Sequence, residues 1–451
     1  MKRRSFLQNL VLAGSAMALP VTQQAHAKPL PWRNWSGSQV CYPENRLAPT
    51  SVAELSQIIQ ATRGNIRAVG AGHSFSPLVP TNDTMITLSR LNGIVSVDQA
   101  NTTATIWAGT RLGDIGEPLA AENQALQNMP DIDEQTLAGS LATATHGTGE
   151  SLGCLSSFIT SMQLVTSTGE TLECSSTKNA DVFQAAKVGL GSLGIVTQVT
   201  LQNQKPYRLK RETSWMSIED ILANTEQLAS NNRNYEFYYI PFTGMGFIDV
   251  QNVTEEPVSV TEKIDQNDGA NDLKTARDLL SWSSTLRELV LGTYIKTLPD
   301  EVTVAASWQN YASERNVRFN EMEYHLPREN LVPAFEEIRK LVETQFPRVF
   351  FPFEVRYVKQ DDAWLSPFNG RETASIAVHR FFQEDHLPLF KAVEPIFRKY
   401  HGRPHWGKFN TMEAQDFAKH YEHWNDFKEV RRSLDPNGKF MNRYLKSLFT
   451  A

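Results

Sequence analysis

The segment Arg67-Ala68-Val69-Gly70-Ala71-Gly72-His73-Ser74-Phe75-Ser76-Pro77 is the stretch on which the interpretation of the fold depends. A short apolar run leads into two glycines one residue apart, then a histidine, hydroxyl residues and a proline. Glycines at this spacing let a backbone approach a flat or anionic ligand closely, because no Cβ intervenes. The histidine then faces whatever the loop holds. Taken alone, these residues favour a plain turn with one surface histidine, so the rest of the chain must decide.

The composition is that of an ordinary globular protein. The 451 residues suffice for two domains, or for one large domain with an insertion. A formal net charge of −6 gives no electrostatic reason to expect nucleic acid or an acidic membrane as a partner. Cys41, Cys154 and Cys174 form neither a metal pattern nor a disulfide framework, and their odd number leaves at least one free thiol. His401 and His405 lack an evident third ligand, so we predict no metal site.

Residues 1–27 have the pattern of a twin-arginine export signal. Lys2-Arg3-Arg4-Ser5-Phe6-Leu7-Gln8 is followed by an apolar stretch, 10–19, and by the cleavage pattern Ala25-His26-Ala27. The apolar stretch is too short to span a membrane as a helix. A chance basic start before a disordered tail is the alternative. Because twin-arginine export carries folded proteins, the pattern predicts a periplasmic location and supports a cofactor inserted before export.

Residues 28–205 predict helices and strands that do not form a doubly wound sheet. Ser51 stands directly before an apolar repeat of spacing three and four, as at a helix start, and a strand at 66–69 leads into the opening loop. Alternating apolar residues then predict three strands and a helix. These are Thr84–Leu91, Ile94–Asp98, Thr103–Ala108 and the helix Leu112–Glu122. Three strands in succession are not repeated βαβ crossovers.

Two further stretches are rich in small residues. Residues 137–149 suit a wall laid against a ring system and a pyrophosphate, although a tightly packed buried turn fits equally well. Residues 189–194 match the pattern Gly-x-Gly-x-x-Gly. A dinucleotide turn of that kind needs a strand before it and a helix after it. Here 181–188 is helical in pattern and 195–201 alternates as a strand, so we predict no Rossmann phosphate turn.

The composition changes near residue 205, where aromatic and charged residues become more frequent, and we place a domain boundary there. The polar region Thr254–Asn271 predicts a loop or insertion, and 283–294 predicts an amphipathic helix packed internally. In Pro352–Val358 the alternation puts Glu354 and Arg356 on one face of a strand. Such a pair suits a polyhydroxylated substrate, and the arginine can stabilise developing negative charge. An ion pair on an exposed strand is the alternative.

Four motifs occur in an informative order. They are Val69-Gly70-Ala71-Gly72-His73-Ser74, Ala144-Thr145-His146-Gly147-Thr148-Gly149, Glu354-Val355-Arg356 and His405-Trp406-Gly407-Lys408. Together they resemble the vanillyl-alcohol-oxidase flavoprotein superfamily, and within it the aldonolactone oxidoreductases and related alditol oxidases. The likeness covers about residues 40–205 and 350–445. It implies an α+β fold: a two-subdomain FAD-binding domain of the PCMH type at 28–205, then an α+β substrate-binding cap domain at 206–451 whose C-terminal segment returns to the flavin.

The resemblance also implies roles for individual residues. Residues that match FAD contacts in relatives are Val69, Gly70, Ala71, Gly72, His73, Ser74, Phe75, Asp131, Thr136, Gly139, Thr143, Ala144, Thr145, His146, Gly194 and Ile195. In many relatives the histidine at the position of His73 is bonded covalently to the 8α-methyl carbon of the flavin. Glu354, Arg356 and Lys408 match residues on the substrate side of the ring, and we expect them to be catalytic.

The expected activity is oxidation of a sugar-derived alcohol, with FAD accepting a hydride from a carbinol C–H. The first expectation is an aldono-1,4-lactone of the gulono or arabinono type, reoxidation being by O2 or a respiratory acceptor. An alditol oxidase and a non-catalytic carbohydrate-binding protein are the alternatives. Pro130 and Asp131 stand where relatives carry a small residue beside the flavin, which leaves oxidase and dehydrogenase both open. Phe381 replaces a threonine of alditol oxidases, which favours a lactone.

Overall fold

The computed structural model describes residues 30–261, 264–265, 267–314 and 317–450. The predicted export signal, residues 1–27, lies outside them. None of the helices in these ranges combines the length and apolarity that crossing a membrane requires. Cys41, Cys154 and Cys174 are all free and buried.

The first half of the chain builds three small sheets, the smallest being an antiparallel pair of strands at Trp32–Arg33 and Val40–Cys41. Its elements are β1 Trp32–Arg33, β2 Val40–Cys41, β3 Asn45–Leu47, α1 Val52–Ala61, β4 Ile66–Ala68, β5 Thr84–Ile86, β6 Ile94–Asp98, β7 Thr103–Trp107, α2 Gly116–Ala121, α3 Leu137–Ala142, β8 Ile159–Val165, β9 Thr171–Ser175, α4 Ala180–Lys187 and β10 Ile195–Gln202. A parallel sheet has the strand order β3-β5-β4, and an antiparallel sheet has the order β6-β7-β10-β8-β9. Mixed α+β architecture is therefore confirmed for this half.

The second half builds one large antiparallel sheet with helices around it. Its elements are β11 Arg208–Ser217, α5 Ile218–Asn231, β12 Asn234–Ile240, β13 Met245–Thr254, β14 Ile264–Asp265, α6 Asn267–Leu280, α7 Ser284–Ile295, β15 Glu301–Ala306, α8 Ser307–Tyr311, β16 Ser313–Glu314, β17 Phe319–Pro327, α9 Leu331–Gln345, β18 Phe353–Val358, β19 Thr373–Phe381, α10 Leu387–Lys399, β20 Arg403–Pro404, α11 Ala414–His420, α12 Trp424–Leu434 and α13 Arg443–Phe449. The sheet has eight strands in the order β15-β11-β13-β12-β18-β19-β17-β20.

Several local predictions are confirmed by the structure. Ser51 caps α1, its hydroxyl accepting a hydrogen bond from the Glu54 N–H at 3.1 Å. β6 has the predicted bounds, and α7 begins after its cap Ser283. The glycine run 189–194 lies between α4 and β10, so the helix precedes it and the strand follows it. No Rossmann phosphate turn is present at that run.

Three predictions were wrong in part. β5 ends at Ile86 because the chain turns there, the Leu91 N–H donating to the Leu88 carbonyl at 2.8 Å. The helix predicted over 112–122 divides into a 3-10 turn and α2, since the Gly113 N–H donates to Asp133 on another segment. α6 occupies 267–271, which were predicted as loop. The amphipathic helix predicted at 283–294 is confirmed as α7, which buries Leu291 and Ile295 and leaves Leu289 66% exposed on another face.

The C-terminal segment returns to the first half of the chain. The Ile66 N–H donates to the Lys439 carbonyl at 2.7 Å, which extends the backbone contacts of β4. The Asn442 amide donates to three carbonyls, those of Pro77, Leu78 and Pro80, at 2.9–3.1 Å. The opening loop is thereby held by residues more than 350 positions away in sequence, which the sequence pattern alone does not reveal.

Candidate active site

A long cavity runs between the opening loop, the small-residue helix α3 and the glycine run. It encloses about 1420 Å³ of atom-free space, part of it open to solvent. Predicted cofactor residues that line it are Val69, Gly70, Ala71, Gly72, His73, Ser74, Thr136, Gly139, Thr143, Thr145, Gly194 and Ile195, with Lys408 at the substrate side. The inverted glycine run therefore still forms a wall of the cavity, although it is no Rossmann turn.

The backbone of the opening loop is shaped for close approach to a ligand. Gly72 has φ +73°, in the left-handed region that favours glycine. A Cβ added at Gly70 would overlap Thr136 Oγ1. The loop can therefore pack against Thr136, directly before α3, only because Gly70 has no side chain. The N–H groups of residues 70–74 donate to no other described backbone group. Such unpaired amides beside a cavity are a ready site for phosphate or ring oxygens.

We expect Gly70→Ala to loosen the contact between this loop and α3. Because the new Cβ overlaps Thr136 Oγ1, one wall of the cavity must move, at a cost of about 1–3 kcal/mol in unfolding free energy. Thermal unfolding and the flavin content of the purified variant measure the effect. Gly139→Ala is the matched control, since its Cβ would lie 3.0 Å from the same oxygen. Equal stability and flavin content in Gly70→Ala and the wild type would contradict the steric argument.

His73 lies at the wall of the cavity with its ring stacked on Trp35. The ring centroids are 5.3 Å apart and the planes are inclined by 21°. Burial, together with the nearby charges of Lys408 and Arg111, lowers the pKa of His73 to about 4. The imidazole is therefore neutral at pH 7, and one ring nitrogen keeps a lone pair.

Arg67 joins three segments behind the loop. Its guanidinium donates to the carbonyls of Leu190 at 2.9 Å, Gly191 at 2.6 Å and Phe440 at 2.6 Å. Burial lowers the pKa of Arg67 to about 10, which still leaves it charged at neutral pH. One side chain thus fixes the glycine run and the C-terminal segment relative to β4.

One face of the eight-stranded sheet carries the predicted catalytic residues Glu354 and Arg356. Side chains alternate between faces along a strand, and the register places Glu354 opposite Tyr238 on one side and Ala377 on the other. One row further, Arg356 lies opposite Glu236. Polar residues of five adjacent strands meet on this face, and all of them are buried. They are Asp249, Glu236, Tyr238, Glu354, Arg356, His379, Glu321, Glu323 and His325.

Arg356 is the centre of the ion pairs on this face. Its Nη2 donates to Glu323 Oε1 at 2.8 Å, its Nε lies 3.5 Å from Glu354 Oε1, and its Nη1 lies 3.7 Å from Asp131 Oδ1. Arg356 reaches Glu323 diagonally across β19, because the residues of β19 between them, Ser375 opposite Arg356 and Ala377 opposite Glu323, are small. Burial alone would raise the pKa of Glu323, but the charge of Arg356 holds it well below its usual range.

Lys408 connects this face to the cavity. Its ammonium pairs with Glu321 and lies 5.4 Å above the ring of Phe75. His379 Nε2 lies 3.7 Å from the other oxygen of Glu321. The Gly407 carbonyl accepts the Phe75 N–H at 2.6 Å, which joins the Lys408 segment to the opening loop. A flexible lysine is thereby held at a fixed place between the cavity and the sheet.

Some predicted residues lie elsewhere. Phe75 does not line the cavity, because its ring packs against Phe319 at 6.0 Å between centroids. Ala144 is fully buried behind the wall, with φ +58°. His146 is turned toward the sheet, its Nε2 lying 3.0 Å from Glu323. Asp131 lies beside Arg356 instead of lining the cavity.

The exposed-strand interpretation of Glu354 and Arg356 is wrong, since every residue of β18 is buried. Sequence reasoning also missed most of the carboxylates on this face. The available signal was polar residues at alternate positions in apolar strands: Glu321, Glu323 and His325 in β17, and Glu236 in β12. Alternation showed that each set shares a face, but not which strands are neighbours.

The cavity fits the flavin dinucleotide that the resemblance implies. Its walls of small residues admit a flat ring, the amides of the opening loop offer hydrogen-bond donors, and the cationic Lys408 lies where the cavity meets the polar face of the sheet. Each feature is what a ring system linked to a pyrophosphate needs from a protein.

Comparison with protein families gives two matches that divide the chain. Residues 43–175 match the FAD binding domain model, and residues 199–448 match the model of D-arabinono-1,4-lactone oxidase. The second match alone spans more than half of the chain.

Individual relatives match over nearly the whole length. L-gulono-1,4-lactone dehydrogenase of Mycobacterium tuberculosis is 35% identical over 426 residues, which is 92% of this chain and 98% of that protein. L-gulonolactone oxidase of Mus musculus is 30% identical over 439 residues, 94% of this chain and 99% of the relative. A solvent-stable cholesterol oxidase of known structure has a TM-score of 0.79 at 16% identity, covering 93% and 97% of the two chains, and shares the fold. The chain therefore belongs to the D-arabinono-1,4-lactone oxidase family, within the vanillyl-alcohol-oxidase group of FAD-dependent oxidoreductases that act on CH–OH groups.

Proposed function

We propose that this protein oxidises an aldono-1,4-lactone of the gulono or arabinono type with FAD as its cofactor. One observation carries the proposal: Arg356 lies on a buried polar face of the sheet, and Lys408 pairs with Glu321 of that face and also lines the cavity. The relatives at 35% and 30% identity are named for L-gulono-1,4-lactone and L-gulonolactone, which supports the substrate class.

FAD, when bound, supplies a two-electron acceptor for the hydride of the substrate's carbinol carbon, while the hydroxyl proton leaves to a base or to solvent. Arg356 and Lys408 place two positive charges where substrate oxygens and developing negative charge are stabilised. Glu354 orients the substrate or Arg356 through its ion pair at 3.5 Å. Because this face is buried, water is excluded and each of these interactions is stronger than in solution.

Turnover of L-gulono-1,4-lactone and D-arabinono-1,4-lactone, compared with xylitol and sorbitol, tests the substrate class. Each compound is offered with O2 and, separately, with an artificial dye as acceptor. We expect the lactones to be oxidised at least ten times faster than the open-chain alditols, and the two acceptors separate an oxidase from a dehydrogenase. Faster alditol turnover would overturn the lactone assignment. Purified protein without flavin absorbance would overturn the function as a whole.

We further propose that His73 is bonded covalently to the flavin 8α carbon. The support is a neutral ring at the cavity wall, held in one orientation by Trp35. Forming this C–N bond would break one C–H bond of the methyl group and the N–H bond of the imidazole. Both protons would leave to solvent, and the two electrons would remain on the flavin ring until the acceptor that reoxidises the flavin removes them.

Flavin is expected to remain with the chain after acid precipitation of the wild type. In His73→Ala it is expected to be released into the supernatant, because His405, which also lines the cavity, has its Nδ1 occupied by the Gly407 N–H at 2.9 Å. Absorbance of the supernatant measures the released flavin. Trp35→Phe is the control, because it changes the stacked ring and leaves the nucleophile. Flavin that washes out of the denatured wild type would refute the covalent bond while leaving FAD binding intact.

The individual assignments belong to the same proposal. Residues 28–205 are proposed as the FAD-binding domain and 206–451 as the substrate domain; the two family matches, 43–175 and 199–448, support this division.

Residues 1–27 are proposed to direct twin-arginine export to the periplasm, which the twin-arginine pattern supports. Retention of the Arg3→Lys, Arg4→Lys variant in the cytoplasm would support the export route, and unchanged export would refute it.

A further inference from the structure

The hydroxyl of Tyr238 lies between two buried carboxylates. Its oxygen is 3.0 Å from Glu236 Oε1 and 2.9 Å from Glu354 Oε1. The register explains this geometry, because Glu236 and Tyr238 are two residues apart on β12 and Tyr238 lies directly opposite Glu354 on β18. Both carboxyl groups are less than a tenth exposed.

A tyrosine hydroxyl has one hydrogen, so it donates to one of these oxygens at a time. If both carboxyl groups were ionised, the other oxygen would face the lone pairs of the hydroxyl in a low-dielectric site, which is unfavourable. A single proton shared by the pair removes the conflict, because a protonated carboxyl donates to the tyrosine oxygen while the tyrosine donates onward. The geometry therefore calls for one proton on the pair.

The neighbouring charges decide which carboxyl group holds the proton. Asp249, directly opposite Glu236 on β13, takes Arg211 as its partner, with Arg211 Nε 2.6 Å from Asp249 Oδ2. Arg356 pairs with Glu323 and Glu354. No lysine or arginine in the described ranges lies within ion-pairing distance of Glu236. Arg356 stands opposite Glu236 in the register, but its guanidinium is directed to Glu323 and Glu354, so of the two carboxyl groups only Glu354 has a described cation within ion-pairing distance.

We propose that Glu236 is protonated in the resting protein and acts through Tyr238 as a positioning residue that holds Glu354 as a carboxylate facing Arg356. The hydrogen bonds run from the Glu236 carboxyl to the Tyr238 oxygen, and from the Tyr238 hydroxyl to Glu354. The role of Glu354 toward substrate rests on the proposed function. The protonation of Glu236 does not.

The surrounding electrostatics agree with this arrangement. Burial raises the pKa of Glu236 above its ordinary value of 4.5, and the charges of Asp249, Glu354 and Asp131 raise it further, whereas Arg356 lowers it. Because the folded protein holds this proton more tightly than the unfolded chain, Glu236 makes the protein less stable as pH rises from the ordinary carboxyl pKa toward the raised one.

Stability against pH provides a test that needs no substrate. Gln has the shape of a protonated Glu and cannot ionise, so the melting temperature of Glu236→Gln should exceed that of the wild type by a margin that grows by several degrees as pH rises above 4.5. Tyr238→Phe is the companion variant. When Glu236→Gln is compared with Glu236 in the Tyr238→Phe protein, the difference in melting temperature should still grow with pH. A pH-independent difference, or a Gln variant less stable at every pH, would show that Glu236 is ionised and would overturn the proposal.

Turnover gives the second readout. The amide of Gln donates to Tyr238 as the protonated carboxyl does, so Glu236→Gln should keep kcat/KM within about threefold of the wild type near neutral pH. In the wild type kcat/KM should fall at alkaline pH as Glu236 ionises, and in Glu236→Gln this fall should be absent. Glu236→Leu offers no donor to Tyr238 and should lose up to about 100-fold. A Gln variant as poor as the Leu variant would overturn the proposal. Wild-type protein inactive on every lactone would instead refute the proposed function, while the stability test would still decide the protonation.

Discussion

Arg356→Met is expected to lower kcat/KM by about 100- to 1000-fold, because the strongest cation on the substrate side is lost. Methionine fills much of the same volume and carries no charge. The carboxylate of Glu323 loses its ion pair at 2.8 Å in a fully buried site. Removing one partner of a buried pair costs about 3–5 kcal/mol, so the melting temperature should fall as well. Initial rates on a lactone and thermal unfolding of the flavin-loaded protein measure the two effects.

The two effects separate in a double variant. Glu323→Gln removes the charge that Arg356→Met leaves unpaired, so the double variant should recover stability and remain inactive. Arg356→Lys keeps the charge but not the planar fork that reaches Glu323 and Glu354 together, and an intermediate rate is expected. Arg356→Met with activity within tenfold of the wild type would place the catalytic charge elsewhere. A double variant that regains activity would show that Arg356 acts only on folding.

The sequence predicted local structure where a residue's own neighbours decide it. The cap at Ser51, strand β6 and the helix-to-strand order around 189–194 each depend on residues within one turn or one strand. The failures depended on distant contacts. The helix predicted over 112–122 is divided by a hydrogen bond from Gly113 to Asp133. The polar stretch before Asn271 forms a helix because Arg277, further along α6, is held by the Arg348 carbonyl and the Glu384 carboxylate, which are distant in sequence.

The same distinction between local patterns and distant contacts decides which parts of the candidate site could be predicted. The loop at Gly70–Ser74 and the pair Glu354 and Arg356 could be found, since glycine spacing and alternation are local patterns. The ion pair of Arg356 with Glu323 joins residues 33 positions apart across a third strand, and alternation gives no information about strand order. The orientation of His146 toward Glu323, away from the cavity, depends on that same sheet.

Arg67→Met is expected to reduce the free energy of unfolding by about 3 kcal/mol or more. Arg67 is 2% exposed and donates to three carbonyls of two distant segments; hydrogen bonds from charged groups contribute about 1.5–3 kcal/mol each, part of which is offset by desolvation. Lys439→Met is the matched control, since the half-buried Lys439 ammonium donates to a single carbonyl among the described residues, that of Ile59, at 2.7 Å. Its loss should cost about 1 kcal/mol. Equal effects of the two substitutions on chemical denaturation would contradict a special role for Arg67.

The same substitution should weaken flavin binding beyond its effect on folding. No carboxylate in the described part of the chain pairs with Arg67, yet its charged side chain lines the cavity. A buried cation without a counter-charge is costly, and the phosphates of a bound dinucleotide are the anions that can neutralise it. A ligand stabilises the folded state by an amount that rises with the logarithm of its affinity. In apoprotein that also carries His73→Ala, so that no covalent bond forms, the rise in melting temperature on adding FAD should therefore be smaller with Arg67→Met than with Lys439→Met. An equal rise in both would mean that the carbonyls of 190, 191 and 440 alone account for the buried charge.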